Sequence, residues 1–211
     1  MAQTTRFTSS AVGLMQIINY FDKEFIMSKE NEFKIWISAA NLPTRSPSIY
    51  GLAGFAKSKG LNVKLILSNH EYSFENSSEN TQEPYQKGRG YRTEFRDDEI
   101  ANAKFSSYIH QRSARESGVV FEERDFEFEE VKSLLREGKC ILLRLNRQVL
   151  FGHRPEASYY AVIGYDEENS VFKVFDPKNE EMDVPEDQMR EAFETLKSVC
   201  NRDNRMIVVW K

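Results

Sequence analysis

Ser9 and Ser10 stand between a polar opening, QTTRFT, and an apolar run, AVGLMQIINYF. Leu14, Ile17, Ile18 and Phe21 fall at i, i+3, i+4 and i+7, one buried face of a helix, and either serine is a suitable N-cap in front of it. A group at Ser9 therefore meets the positive end of a helix dipole, where a nucleophile or an anion is favoured. An alcohol there does chemistry only beside a base, and the chain has three histidines, His70, His110 and His153. His153, in the loop FGHRPEAS, is a displaced-base candidate, although a solvated loop histidine is the commoner case. A serine pair ahead of a helix is likewise more often a cap than a catalyst. Gln3 sits near a terminus, where disordered polar residues are usual, and Asp176-Pro177 is an ordinary strand-to-turn ending. Cys140 and Cys200 cannot build a disulfide framework and lie in no metal-ligand spacing with the histidines, so reduced structural thiols and no metal or cofactor are expected.

The elements that must position these residues follow from periodicity. After the first helix, Glu30 to Ala40 is a second, ended by the Pro43 to Pro47 turn. Ser46-Pro47 gives a cap and a first-position proline for a third helix, whose inner face is Ile49, Leu52, Ala53 and Ala56 and which Gly60 closes. Asn62 to Ser68 alternates as the first strand, and Asn69 to Arg96 is too polar to offset its ordering entropy and reads as a long loop. Asp97 to Glu116 is helical with Ala101, Phe105, Tyr108 and Ile109 inward, Val119 to Phe121 a short strand, and Phe128, Val131, Leu134 and Leu135 a further helix stopped by Gly138. The C-terminal half reads as an antiparallel sheet: Cys140 to Asn146, Ser158 to Tyr165, Ser170 to Asp176, and Met206 to Trp210. The Asp166 to Asn169 turn closes a hairpin within it. Pro185 to Val199 is a helix with Met189, Ala192, Phe193 and Leu196 facing in. Helices first and strands later make the fold α+β.

The 211 residues, 40% hydrophobic and 12% aromatic, suffice for one well-filled core. Lys and Arg total 29 against 33 Asp and Glu, a formal charge of −4 without a basic run, which argues against nucleic acid as a partner. The acidic stretch from Glu122 to Glu130 reads as solvated surface. No apolar run approaches the roughly 18 to 20 residues that span a bilayer and no signal-peptide core follows Met1, so a soluble, cytoplasmic protein is expected.

The opening segment resembles that of papain-like peptidases of the bacteriocin-processing, double-glycine class, in which a glutamine, five residues and then Cys-Gly-Pro-Ala begin a buried helix. Gln3 and Ser9 keep that spacing, but Ser9, Ser10 and Ala11 stand where the family has Cys, Gly and Pro. RSPSIYGLAGFAKSKGLNVKLIL is similar to the family's glycine-containing helix and following strand. SYYAVIGYDEENSVFKVFDP is similar to its histidine-to-aspartate hairpin, with Ser158 at the histidine and Asp176 at the acid. The resemblance implies a papain-like fold with N-terminal helices packed on a C-terminal antiparallel sheet, one domain over residues 1–211 and a polar insertion around 69–96. It implies that Gln3, Ser9, Ser158 and Asp176 occupy the oxyanion, nucleophile, base and acid positions, with Ser10, Tyr159 and His153 around the cleft. Such a site needs a thiolate made by an imidazolium and a helix N-terminus, and Ser9 without a histidine is not usefully deprotonated near neutral pH. The expected function is an inactive peptidase homologue whose cleft binds a peptide or protein partner, as degenerate relatives in export transporters do. Two others compete with it: a hydrolase or transferase using Ser9 with His153 or a water-mediated base, and a structural or assembly subunit.

Overall fold

Burial on all sides, from Ser10 through Ile18, makes the first helix, α1 (Ser9–Phe21), an interior element and not a surface one. The computed structural model describes residues 4–5, 7–68, 96–152, 154–177, 181–200 and 202–211. Helix α2 (Lys29–Ala39) starts at Ser28, whose side chain accepts a hydrogen bond from the Asn31 amide, with Glu30 and Glu32 in the first turn where the dipole favours them. Two short strands, β1 (Ala40–Asn41) and β2 (Ser46–Pro47), pair antiparallel around a cis Leu42–Pro43 bond before α3 (Ile49–Ser58). Ser46-Pro47 was expected to cap α3 and open it. Instead, pairing of Pro47 with Ala40 keeps it extended, and Ser48, its amide bonded to the Ala39 carbonyl, is the N-cap.

Strand β3 (Asn62–Leu67) and helix α4 (Asp97–Glu116) follow; the expected long loop falls at 69–95, outside the described residues. The inward face expected for α4 is corrected. Phe105 is 53% and Ile109 49% exposed, while Ala103, Ser107, Gln111 and Ala114 are buried. Helix α4 packs on α3 through small residues, with Gly54 of α3 opposite the buried Ala114 of α4.

The rest of the chain gives β4 (Val120–Glu123), α5 (Phe128–Arg136), β5 (Cys140–Asn146), α6 (Arg147–Phe151), β6 (Ala157–Asp166), β7 (Val171–Phe175), β8 (Glu181–Pro185), α7 (Glu186–Cys200) and β9 (Arg205–Trp210). The short α6 and the edge strand β8 had no counterpart in the sequence reading. The turn between β6 and β7 is built by Asp166, whose Oδ1 accepts from the amides of Glu168 and Asn169 at 3.0 and 3.2 Å.

Seven strands form one sheet in the order β4-β3-β9-β5-β6-β7-β8, antiparallel except for the parallel pair β3 and β4. Strand alternation sends Leu65, Leu142, Ala161 and Ile207 to one face, where α1, α2 and α3 cover them. Ile141, Leu143, Tyr160, Val162 and Val208 go to the other, covered by α5 and α7. The fold is α+β, with helices on both faces of a mainly antiparallel sheet.

Candidate functional site

Helix α1 is seated on β6. A Cβ built on Gly13 would lie 3.6 Å from the Ala161 amide nitrogen, an ordinary contact, and 2.7 Å from Leu142 Cδ1, so the helix rests closely on β6 and any side chain here would make Leu142 change rotamer. Ser9, Gly13 and Gln16 lie on one helical stripe. Further along it, the buried Gln16 donates from Nε2 to the Asp176 carbonyl oxygen at 3.2 Å, tying α1 to the chain just beyond β7.

Ser9 is the first residue of α1, half-buried. The N-cap is Thr8 and neither serine, a second correction. The Thr8 hydroxyl donates to the Thr5 carbonyl at 2.8 Å and accepts from the Thr5 amide at 3.2 Å, so it turns back into the preceding loop and makes no cap bond. That loop is fastened to α2: the Thr4 amide and hydroxyl each donate to Glu32, at 2.7 Å, one to each carboxylate oxygen. Glu32 is fully buried, and these charge-assisted bonds satisfy it. Gln3 and His153 lie outside the described residues. Ser10, expected to line the cleft, is only 2% exposed and faces the interior, because α1 is enclosed on that side too.

Ser158 pairs with Leu145 and Tyr159 with Arg144 across β5 and β6, both half-buried. Alternation puts Tyr159 on the α1 side, under the Arg144 guanidinium at 5.5 Å from its ring, and Ser158 on the side of Tyr160. The Tyr160 phenol gathers the hairpin's polar groups. Burial pushes its pKa up, Arg147 opposes the rise and Asp176 adds to it. Asp176 is joined to α1 through the Gln16 side chain, which donates to its backbone carbonyl, and Ser158 shares its face of β6 with Tyr160. No hydrogen bond joins Ser9 to either of them among the described residues.

Thiol chemistry is displaced from α1. Cys140 is buried in β5 with its thiol pushed up to about 12 by burial, and Cys200 ends α7, its thiol also raised by burial. Both shifts disfavour thiolate, the reactive form. Among the described residues no group of three or more His, Cys, Asp or Glu side chains could hold a metal, and no helix is long and apolar enough to cross a membrane.

Sequence reasoning missed Gln16 and Glu32. Each carries a legible signal: Gln16 interrupts an otherwise apolar helix, and Glu32 shares α2 with the apolar Ile35 and Ala39.

An α+β sheet against which a buried helix begins, with an acid-bearing hairpin beneath that helix, is the papain-like arrangement, and the protein is a peptidase-like homologue. The chain belongs to the Peptidase_C39 like family, whose model matches residues 1–208. No curated protein matches it.

Proposed function

We propose that the protein is a peptidase homologue without catalysis that keeps the frame of the site and uses the cleft beside α1 to hold a peptide or protein segment. The observation that carries this reading is the pair of alcohols, Ser9 and Ser158, at the positions that the family resemblance assigns to the nucleophile and its base. A nucleophile and its base act as a unit, so losing both groups removes nearly all of the rate. Three features support retention of the frame. Gln16 bonds the chain at Asp176, Glu32 fastens the loop before Ser9, and Gly13 keeps the helix tight on β6.

The test is restoration. Ser158 is the second residue of β6 and leaves the sheet on the side of Tyr160, so an imidazole at 158 must reach position 9 around the end of the strand. Given that reach, Ser9→Cys with Ser158→His should give a thiol that iodoacetamide alkylates with a midpoint well below an ordinary cysteine's roughly 8.5, because an imidazolium and a helix N-terminus both favour thiolate. Ser9→Cys alone should titrate near the ordinary value. Identical profiles would show that position 158 does not face position 9 and would sink the assignment of the site. Peptide hydrolysis by the unaltered protein, lost in Ser9→Ala, would overturn the absence of catalysis. For binding, the 15N-labelled chain is titrated with a peptide ending in Gly-Gly. Amide shifts should gather at Ser9, Val12 and Tyr159, and a titration that leaves these unmoved would count against the cleft.

A further inference from the structure

On the sheet face away from α1, the acidic stretch that ends at Glu130 borders an aromatic groove between α5 and α7. Phe126, Phe128 and Phe193 form its floor, and Glu127, Glu129, Arg190 and Glu194 its rim, around a volume of about 280 Å3. Pockets for small organic ligands run from roughly 300 to 1,000 Å3, so this one suits a single side chain.

The rings form one cluster, with Phe193 centroids 5.5 Å from Phe126 and 5.8 Å from Phe128. They already hold one cation, since the Arg190 guanidinium lies 4.4 Å from the Phe128 centroid, within the distance at which a ring face attracts positive charge. Arg190 is engaged by Glu129 at 2.5 Å and Glu186 at 3.0 Å, with Glu194 further off at 4.0 Å. Three carboxylates against one guanidinium leave the lining two negative charges. Among the described residues Glu127 has no ion pair. These carboxylates form no metal-binding group, and their sign excludes a phosphate-bearing partner.

We infer that this groove takes a lysine or arginine side chain from a basic segment of a partner protein. The aliphatic stem enters the groove over Phe126, Phe128 and Phe193, which are 6%, 3% and 4% exposed and so offer it a narrow apolar strip, and the charged head sits between Glu127 and Glu194, next to the cation that the rings already accept. Long cationic side chains are built for such a site, with an apolar stem and a solvated head.

The experiment titrates the 15N-labelled full chain with acetyl-Leu-Arg-Leu-Arg-amide and with the same peptide carrying citrulline for arginine. The arginine peptide should shift amides at residues 126–129 and 190–194, and binding should weaken as salt is raised. Glu127→Gln with Glu194→Gln, both at the rim and outside the core, should lower the affinity about threefold or more while the thermal midpoint stays put. Equal binding of the citrulline peptide, shifts spread over the whole acidic surface, or undiminished affinity in the double variant would each overturn the inference. The groove and α1 lie on opposite faces of the sheet, so neither this result nor the restoration test decides the other.

Discussion

Gly51 and Gly54 sit three residues apart on α3, and the same substitution at the two should act in opposite directions. A Cβ at Gly51 would lie 2.6 Å from the Ala39 Cα, 2.9 Å from the Ala39 Cβ and 3.0 Å from the Ser38 carbonyl oxygen. These are mostly backbone atoms at the end of α2, which no rotamer change can move aside. Alanine is favoured over glycine in a helix by about 1 kcal/mol, whereas overpacking a tight contact costs about 1 to 3 kcal/mol and more where backbone must shift. The clash wins, and Gly51→Ala should lose about 1 to 2 kcal/mol. For a domain of this size that lowers the thermal midpoint by about 2 to 8 °C. At Gly54 the added Cβ meets the Ala114 Cβ at 3.7 Å and its Cα at 3.8 Å, ordinary contact distances. The helix preference then acts alone, and Gly54→Ala should raise the midpoint by about 1 to 4 °C. Both are read by thermal denaturation followed by circular dichroism. A Gly51→Ala midpoint at or above that of the unaltered protein would refute the claim that α2 and α3 touch through backbone at this point.

Two further outcomes follow from the charged groups and the thiols. Glu186 accepts hydrogen bonds from the Tyr165 phenol, Lys132 and Arg190, which lower its pKa from 4.5 to about 2. Its stabilising contribution is complete above 4.5 and is lost as pH falls through that range to about 2. Glu186→Gln should therefore be less stable at pH 7 but lose less on acidification, and parallel acid limbs for the two proteins would contradict this. With Ellman's reagent, native protein should titrate slowly at Cys200 alone and release Cys140 only in denaturant, as an interior thiol with a pKa near 12 requires. Rapid reaction of both thiols in the native state would show that β5 is not enclosed.

Periodicity located most elements because their apolar residues meet a sheet. Leu14, Ile17 and Ile18 of α1 and Met189, Ala192, Phe193 and Leu196 of α7 are all buried as spaced. The rule misplaced α4 because that helix meets another helix, and a close helix pair buries Ala103, Ser107 and Ala114 while leaving Phe105 and Ile109 outside. Strand β8 escaped notice because it is a short edge strand with only Met182 and Val184 turned inward, while Glu181, Asp183 and Pro185, its exposed half, are poor strand formers. Of the site, the helix start at Ser9 was legible from the residues, whereas the roles expected of Ser158 and Asp176 depended on family resemblance. Periodicity cannot report which strands lie side by side. The ties through Gln16 and Glu32 are long-range hydrogen bonds, to which local patterns are blind.

Strand β9 lies between β3 and β5 and, among the described residues, is the strand that links them, so it divides the sheet into two assemblies, β4-β3 and β5-β6-β7-β8. Both are synthesised before β9, each with a backbone edge that β9 will pair and an apolar face. The hairpins among β5 to β8 can form from neighbouring sequence, but β3 must wait for a strand made about 140 residues later. Closure of the sheet is thus a late, non-local event. Until then the β3 and β5 edges are the places where two nascent copies could join each other in error, a hazard that the last strand removes by filling both at once.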